Sequence, residues 1–245
     1  LPNHWRFSSG MVASRLDPAT KRTSWSSIRL EAVRPPRTTR NRVGALGDGG
    51  VMDLFQQQWA TYRAVLDHDL MEHQAMSAAC GQQLRQCCAE AGAPSLVDLG
   101  CGDLALLAPL LRELPLADYT GLDLCAEVLP LAQAALEGAP YPQRWIAGDL
   151  LGWACDPGGA AVDVIHSSYA VHHLQDAEKA QWLAGCRRRI APGGCLIWID
   201  VFREAGESRS NYLARYGARV GRWSGLSPQQ RQAVLGHIQR FDHPA

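Results

Sequence analysis

Three aspartates recur at intervals of about 25 residues, and each belongs to a short apolar run. Asp98 lies in Leu-Val-Asp-Leu, Asp123 ends Tyr-Thr-Gly-Leu-Asp, and Asp149 ends Ile-Ala-Gly-Asp. Carboxylates accept hydrogen bonds from hydroxyl and amino groups and attract cations. If the three runs are parallel strands of one sheet, their carboxyl ends meet at the same edge. The spacing therefore predicts one crevice in which three carboxylates face a polar, cationic ligand.

A glycine loop follows the first of these runs. Gly100 and Gly102 let the backbone turn sharply and let a ligand approach without Cβ atoms in the way. Two cofactors remain open from the loop alone. The pattern Gly-x-Gly-x-x-Ala, ending at Ala105, fits the loose dinucleotide fingerprint. Asp98 instead favours a cofactor without phosphate, because a carboxylate repels a pyrophosphate and attracts an ammonium or a sulfonium.

Strands and helices alternate after residue 92. The apolar runs predict strands at 95–99, 119–123, 143–149, 161–168 and 195–202, and the intervening segments have helical spacing at 104–114, 126–136 and 176–190. This alternation predicts an α/β fold, a Rossmann-like doubly wound parallel sheet with right-handed crossovers. Two further helices are predicted within residues 51–92, as an N-terminal helical lid, and the domain proper is expected to occupy 93–245.

Five motifs occur in an order that resembles the class I S-adenosylmethionine (SAM)-dependent methyltransferases. They are Val-Asp-Leu-Gly-Cys-Gly-Asp (97–103), Gly-Leu-Asp (121–123), Gly-Asp-Leu (148–150), Asp-Val-Ile-His-Ser-Ser-Tyr-Ala-Val-His-His-Leu (163–174) and Ala-Pro-Gly-Gly (191–194). The resemblance covers about residues 52–203. It implies SAM as cofactor and a small-molecule methyl acceptor. It departs from the family at Leu104, where a third glycine is often found.

The resemblance also implies residue roles. Asp123 would bind the ribose, and Asp149, with Leu150 covering the ring, would lie near the adenine. The full set expected to contact the cofactor is Asp98, Gly100, Cys101, Gly102, Asp123, Leu124, Asp149, Leu150 and Ser167. The predicted reaction is in-line displacement at the methyl carbon.

Catalytic groups are less clear from the sequence. A general base is needed only if the acceptor is protonated, and the candidates are Tyr62, His172 and His173. The predicted lid would place Trp59, Tyr62 and His68 over the cofactor. The eight cysteines form no Cys-x-x-Cys pair, and no histidines lie at zinc spacing, so no metal site is expected.

Both ends of the chain look unusual for this family. Residues 1–50 hold nine Lys/Arg against three Asp/Glu and little hydrophobic periodicity, so a basic, disordered extension is expected; an organellar transit peptide or a nucleic-acid arm is the alternative. After the fifth predicted strand only helical sequence follows, at 208–223 and 227–241. The last two strands of the fold are therefore expected to be missing, which would leave 195–202 as an apolar edge, covered by a partner or a dimer.

Composition limits the remaining possibilities. The formal net charge is zero and no apolar run is long enough to cross a membrane, so neither nucleic acid nor a membrane is an expected partner. With no signal peptide recognised, the cysteines are expected to be reduced and the protein cytoplasmic. Two alternatives to a methyltransferase stay open: a non-catalytic or truncated SAM-binding protein, and an NAD(P)-dependent oxidoreductase, against which the absence of a Tyr-x-x-x-Lys pair counts.

Overall fold

The computed structural model describes residues 9–16, 23–28 and 59–244. Its centre is a seven-stranded sheet in the order β2-β1-β7-β6-β3-β4-β5. The strands are β1 (Ser9–Leu16), β2 (Thr23–Ile28), β3 (Ser95–Leu99), β4 (Asp118–Asp123), β5 (Gln143–Ala147), β6 (Val162–Ser168) and β7 (Ile190–Val201). The five from β3 to β7 are mutually parallel, which confirms the predicted α/β class and the doubly wound sheet.

Helices flank the sheet on both faces. They are α1 (described over 59–67), α2 (His73–Ala91), α3 (Ala108–Leu111), α4 (Leu129–Ala135), α5 (Leu150–Cys155), α6 (Asp176–Arg189), α7 (Arg209–Gly221) and α8 (Pro228–Phe241). One core cluster joins α2, α3 and α4 to the sheet, a second joins α5 and α6 to the other face, and a third joins α1 to α7 and α8. In the part of the chain that the structure describes, no helix combines the length and the apolar character that crossing a bilayer requires.

The order of strands creates a switch point between β3 and β6. The chain runs from β3 outward to β4 and β5, then returns to β6 on the other side of β3 and continues to β7. Two crossovers that leave in opposite directions open a crevice at the carboxyl ends of the central strands. The cleft of the candidate site lies in this crevice.

The helix predicted at 104–114 is mostly replaced by turns. Only Ala108–Leu111 is α-helical, with Pro109 in its first turn, where a missing N–H costs nothing. Residue Leu104 has φ of +56°, a left-handed conformation that cannot belong to a right-handed helix. The apolar spacing of the segment reflects its burial under α2 rather than a continuous helix.

The N-terminal segment departs most from the expectations. Residues 9–16 and 23–28, expected to be disordered, form an antiparallel hairpin, and β1 pairs antiparallel with β7 from Ser9↔Val201 to Arg15↔Cys195. The apolar edge of β7, for which a partner or dimer was expected, is therefore covered by the chain's own first strand. The hairpin takes the two places of the sheet that the C-terminal sequence leaves unfilled. The rest of residues 1–50 lies outside the described residues.

Candidate active site

A cleft of about 750 Å³ lies over the carboxyl ends of β3, β4 and β6. Asp98, Asp123 and Asp149 all line it, together with the glycine loop that follows β3. The predicted convergence of three strand-end carboxylates on one crevice is thus what the structure shows. Asp98 and Asp123, however, make hydrogen bonds that their spacing in the sequence does not predict.

The glycine loop has a left-handed backbone at three alternate positions. The φ angles are +82° at Gly100, +55° at Gly102 and +56° at Leu104. A Cβ on Gly100 would lie 2.4 Å from the Cβ of Ala170, so glycine is required there by contact as well as by φ. Leu104, at the position where a third glycine is often found, has this left-handed conformation at a cost of about 1–2 kcal/mol, which burial of its side chain (4% exposed) offsets.

Asp98 is the most constrained of the three acids. Its Oδ1 lies 2.8 Å from Nδ1 of His166, and its Oδ2 accepts a hydrogen bond from the Tyr119 hydroxyl at 3.1 Å. Burial alone would disfavour an imidazolium, but the Asp98 carboxylate raises the pKa of His166 well above its usual range. The pair is therefore ionic and nearly neutral overall. The expectation that Asp98 presents a free negative charge to the ligand needs correcting, because His166 supplies the counter-charge.

Asp123 links the end of β4 to the glycine loop. Its Oδ2 accepts from the Gly102 N–H and its Oδ1 from the Cys125 N–H, each at 2.9 Å. Burial raises the pKa of Asp123, while these N–H groups oppose the rise. Each carboxylate oxygen retains acceptor capacity beyond its single backbone bond. The side chain is thus fixed in orientation and can still accept two hydroxyl groups from the cleft.

Asp149 both lines the cleft and caps the start of a helix. It is the N-cap of α5, where its Oδ2 accepts from the Gly152 N–H at 2.9 Å. Leu150 follows it in the cleft lining, and Leu124, 79% exposed, lines the cleft after β4. These two leucines give the lining apolar surface of the kind that suits a flat ring.

Helix α1 covers part of the cleft through a polar contact with the glycine loop. The Tyr62 hydroxyl donates to Oδ1 of the buried Asp103 at 3.1 Å, and Arg63 reaches its Oδ2 at 3.4 Å. Trp59 lines the cleft beside Tyr62, with ring centroids 5.3 Å apart. Both aromatic residues of the expected lid are therefore in place. His68 is not, since its ring packs against Gly225 in the connection between α7 and α8.

Successive side chains at the end of β6 lie alternately inside and outside the cleft. His166 and Ser168 line it, whereas Ser167 is fully buried and donates to the Leu99 carbonyl at 2.7 Å. Ser167, expected to contact the cofactor, thus stabilises the β3–β6 pairing instead. Tyr169 lines the cleft, donates to the Met71 carbonyl at 2.9 Å and packs its ring 4.8 Å from that of His73.

The three candidates for a general base have different environments in the structure. Burial and the carboxylate of Asp103 raise the pKa of Tyr62 well above its usual range, so its hydroxyl is a hydrogen-bond donor rather than a base. His172 does not line the cleft: its Nδ1 lies 2.7 Å from Asp200, on β7. Burial disfavours its charged form, but Asp200 and Asp242 raise the pKa of His172 to about 9. Of the three candidates, His173 is the one that places an imidazole in the cleft lining, which also contains His73 and His166.

The structure also brings together groups that the sequence keeps far apart. His172, His173, His237 and Asp242 each offer one ligand atom, and these atoms lie within 4.8 Å of one another. The expectation of no metal site was based on motifs whose residues lie close together in the sequence. Such motifs cannot include two pairs of residues that are more than 60 positions apart.

Sequence reasoning missed His166 and Asp103 as residues of the site, whereas Tyr169 was expected in the segment that follows β6 toward the crevice. His166 could have been found from strand register, since Asp98 and His166 are direct neighbours in the β3–β6 ladder and opposite charges on one face of a sheet attract. Asp103 gave no comparable signal, because its partners lie on α1.

Comparison with known proteins agrees with this geometry. Residues 97–196 match the family model described as a methyltransferase domain. Over 108 residues the chain is 34% identical to an uncharacterized methyltransferase of Mycobacterium tuberculosis, covering 44% of this chain and 51% of that protein. Over 105 residues it is 37% identical to a trans-aconitate 2-methyltransferase of Azoarcus sp., covering 42% of this chain and 38% of that protein. The chain thus matches about half or less of the length of these relatives.

Among solved structures, the fold is similar to that of the plantazolicin methyltransferase BpumL, crystallised in complex with a triazolic desmethylPZN analog and S-adenosylhomocysteine (SAH). The TM-score is 0.50 at 15% identity, with 71% of this chain and 61% of that chain covered. At this identity the similarity concerns the fold alone.

Proposed function

We propose that this chain transfers a methyl group from SAM to a small-molecule acceptor in the cleft described above, since residues 97–196 match the model of a methyltransferase domain. The observation that carries the proposal is the junction of Asp123 with the glycine loop. Its two backbone hydrogen bonds hold one carboxylate at the switch point of the sheet, between the end of β4 and the Gly102 N–H.

The residues of the cleft fit the parts of SAM. Asp123 would accept hydrogen bonds from the two ribose hydroxyls. Leu124 and Leu150 would cover the adenine, with Asp149 accepting from its amino group. Around Gly102 the loop is open, since a Cβ there would meet only the Tyr62 hydroxyl, at 3.9 Å. This opening would receive the methionine part of the cofactor.

Charge supports a cationic rather than a phosphorylated ligand. Asp98 is balanced by His166, and Asp103 faces Arg63, which leaves Asp123 and Asp149 to give the cleft a negative character. SAM carries an ammonium and a sulfonium against one carboxylate, so it is complementary to this cleft. The aromatic faces of Trp59, Tyr62 and Tyr169 in the lining would add a cation–π attraction of roughly 0.5–2 kcal/mol.

SAM supplies a methyl group that its sulfonium already makes electrophilic, so the protein's contribution is alignment. The acceptor's nucleophile would bond to the methyl carbon in line with the carbon–sulfur bond that breaks, releasing neutral SAH. Holding two reactants in this geometry is worth up to about 7–11 kcal/mol of the barrier. Helix α1 would exclude water through its contact with Asp103.

The acceptor would occupy the part of the cleft bounded by α1, α2 and Tyr169. A volume of about 750 Å³ lies within the range of cofactor and small-molecule sites, which argues for a small acceptor. If the acceptor needs a base, His173 is the imidazole at the rim that could serve. Since one relative is named a trans-aconitate 2-methyltransferase, that tricarboxylate is the first acceptor to test.

The test is methyl transfer from isotopically labelled SAM to trans-aconitate and a panel of small carboxylates, amines and phenols, with calorimetric titration of SAM, SAH and NAD in parallel. We expect SAM and SAH to bind and at least one acceptor to be labelled. Tight binding of NAD without SAM would instead support the oxidoreductase alternative. Binding of SAM without labelling of any acceptor would support a non-catalytic SAM-binding protein.

A further inference from the structure

We propose that His172, His173, His237 and Asp242 bind one divalent transition-metal ion, for which Zn²⁺ has the best-fitting chemistry. Their ligand atoms lie within 4.8 Å of one another. The first two residues follow β6, and the other two belong to α8 and its C-terminal cap. The ion would therefore join α8 to the segment that forms the rim of the cleft. This inference does not depend on methyl transfer.

Two of the separations between ligand atoms are close to those of a four-coordinate ion, and all of them lie within 4.8 Å. Asp242 Oδ1 lies 3.7 Å from Nε2 of His172 and 3.5 Å from Nε2 of His237. Zinc bonds of 2.0–2.1 Å in a tetrahedron place neighbouring ligand atoms about 3.3–3.4 Å apart. The groups need only a small inward movement to close around an ion.

An independent observation is the state of Asp242. Its side chain is 9% exposed, yet Oδ1 makes no hydrogen bond to any described residue. A buried carboxylate oxygen without a donor is costly, and such an atom is normally explained by a cation or an ordered water. Here the unsatisfied oxygen is directed at two imidazole nitrogens, which is the place that a metal ion would take.

The surroundings of His172 are typical of a metal ligand. Its Nδ1 lies 2.7 Å from the Asp200 carboxylate, which also accepts from the His172 backbone N–H at 2.9 Å. A carboxylate on one ring nitrogen fixes the ring and directs the other nitrogen toward a metal. That other nitrogen, Nε2, is the one facing Asp242. The ion would take the place of the proton on this nitrogen.

The donor set selects the kind of metal. Three imidazoles and one carboxylate suit Zn²⁺ and its first-row neighbours, whereas Mg²⁺ and Ca²⁺ prefer oxygen ligands. His173 and His237 are exposed, so an ion can enter from solvent. Since His173 also lines the cleft, the bound ion would fix one wall of the acceptor region, and a His173 that binds the ion would no longer be available as a base.

The test uses the full chain, purified without a polyhistidine tag and stripped with a chelator. Calorimetric titration with ZnCl₂ should give one ion per chain, and CoCl₂ should give the intense visible spectrum of a four-coordinate ion. Thermal unfolding should shift upward with added Zn²⁺. His237→Gln and Asp242→Asn should each weaken Zn²⁺ binding at least tenfold and remove that shift.

Two control variants separate this site from adventitious binding. His68→Gln removes a histidine outside the cluster, and Cys155→Ser removes an exposed thiol; both should bind Zn²⁺ as the unmodified chain does. The proposal is overturned if the chain takes up no stoichiometric ion. It is also overturned if uptake survives both cluster variants, or if Cys155→Ser abolishes it. Because His237 is half exposed, His237→Gln should fold normally and keep the test decisive.

Discussion

At the scale of single residues, Asp123 has the role most open to measurement. Replacing it with asparagine removes the charge and one of the two acceptors while keeping the shape. Hydrogen bonds to a charged group contribute about 1.5–3 kcal/mol, so we expect Asp123→Asn to raise the Kd for SAM by roughly 10- to 100-fold. Asp118→Asn is the matched control, since it changes the aspartate at the opposite end of the same strand. If isothermal titration calorimetry gave the same affinity for SAM in Asp123→Asn and in the unmodified chain, Asp123 would not be the residue that binds the ribose.

Asp149 allows its structural and binding roles to be separated. Asparagine is as good an N-cap as aspartate, so Asp149→Asn should leave the melting temperature nearly unchanged. With the amide oxygen held by the Gly152 N–H, the amide NH₂ would meet the adenine amino group as donor against donor. The affinity for SAM should therefore fall several-fold. A lower melting temperature with unchanged affinity would show that Asp149 is a helix cap only.

His73 should make stability depend on pH. Burial lowers its pKa to about 4, while the unfolded chain protonates it near 6.5. The stability that neutral His73 contributes is therefore complete above pH 6.5 and is lost as the pH falls toward 4. Relative to His73→Phe, the unmodified chain should lose about 1 kcal/mol or somewhat more per pH unit in this window. Urea unfolding at several pH values measures the free energy of unfolding of both proteins. The same dependence of that free energy on pH in both proteins would contradict the prediction.

Sequence reasoning reached the positions of the three acids but not their partners. Strand ends can be read from apolar runs, and the edge that they share follows from parallel topology. The ion pair of Asp98 with His166 could not be predicted from the sequence, because His166 is 68 residues away and becomes a neighbour only through the β3–β6 register. Ser167 was misplaced for a related reason, since alternation along β6 turns it away from the cleft.

At the scale of elements, α1 is attached to the glycine loop by the bonds that Tyr62 and Arg63 make to Asp103. Tyr62→Phe keeps the ring and removes one hydrogen bond worth about 1 kcal/mol. We expect a modest rise in the Kd for SAM, of about fivefold, and faster proteolysis within residues 59–72. If an acceptor is found, kcat should change little.

The same variant distinguishes a lid residue from a general base. Loss of a base typically lowers kcat by about 10²- to 10⁴-fold. A drop of that size in Tyr62→Phe, with SAM affinity and proteolysis unchanged, would contradict the assignment of Tyr62 to the lid.

Helices were predicted well where amphipathic spacing and caps coincide. Ser227 and Pro228 begin α8 with a capping box, as their sequence suggests. The hairpin of β1 and β2 was missed because its sequence is basic and rich in serine, without the alternation that marks strands. Its pairing with β7 joins residues 180 to 192 positions apart, and such non-local contacts leave no local signal.

At the scale of the whole molecule, the N-terminal hairpin completes the sheet. Met11 is 2% exposed and belongs to the same core cluster as Ile197 and Ile199 on β7. Met11→Asp would bury an unpaired charge, which typically costs about 3–5 kcal/mol, so the melting temperature should fall markedly. Met11→Leu conserves volume and should cost less than about 1.5 kcal/mol. Equal melting temperatures for the two variants would mean that β1 does not pack on the core.

This arrangement also explains why the C-terminal sequence can be entirely helical after β7. Because β1 pairs along β7, the residues that follow are free to form α7 and α8. These helices pack with α1 in a cluster of their own, which contains Val65, Tyr216 and Ile238. Helix α1 and the two C-terminal helices thus form one packing unit beside the cleft.

The most direct test of the account is a crystal structure of the chain with SAH. We predict both ribose hydroxyls within hydrogen-bond distance, about 2.5–3.0 Å, of the Asp123 carboxylate, with the adenine against Leu124 and Leu150. SAH bound elsewhere on the molecule, or bound in the cleft with its ribose away from Asp123, would contradict the account.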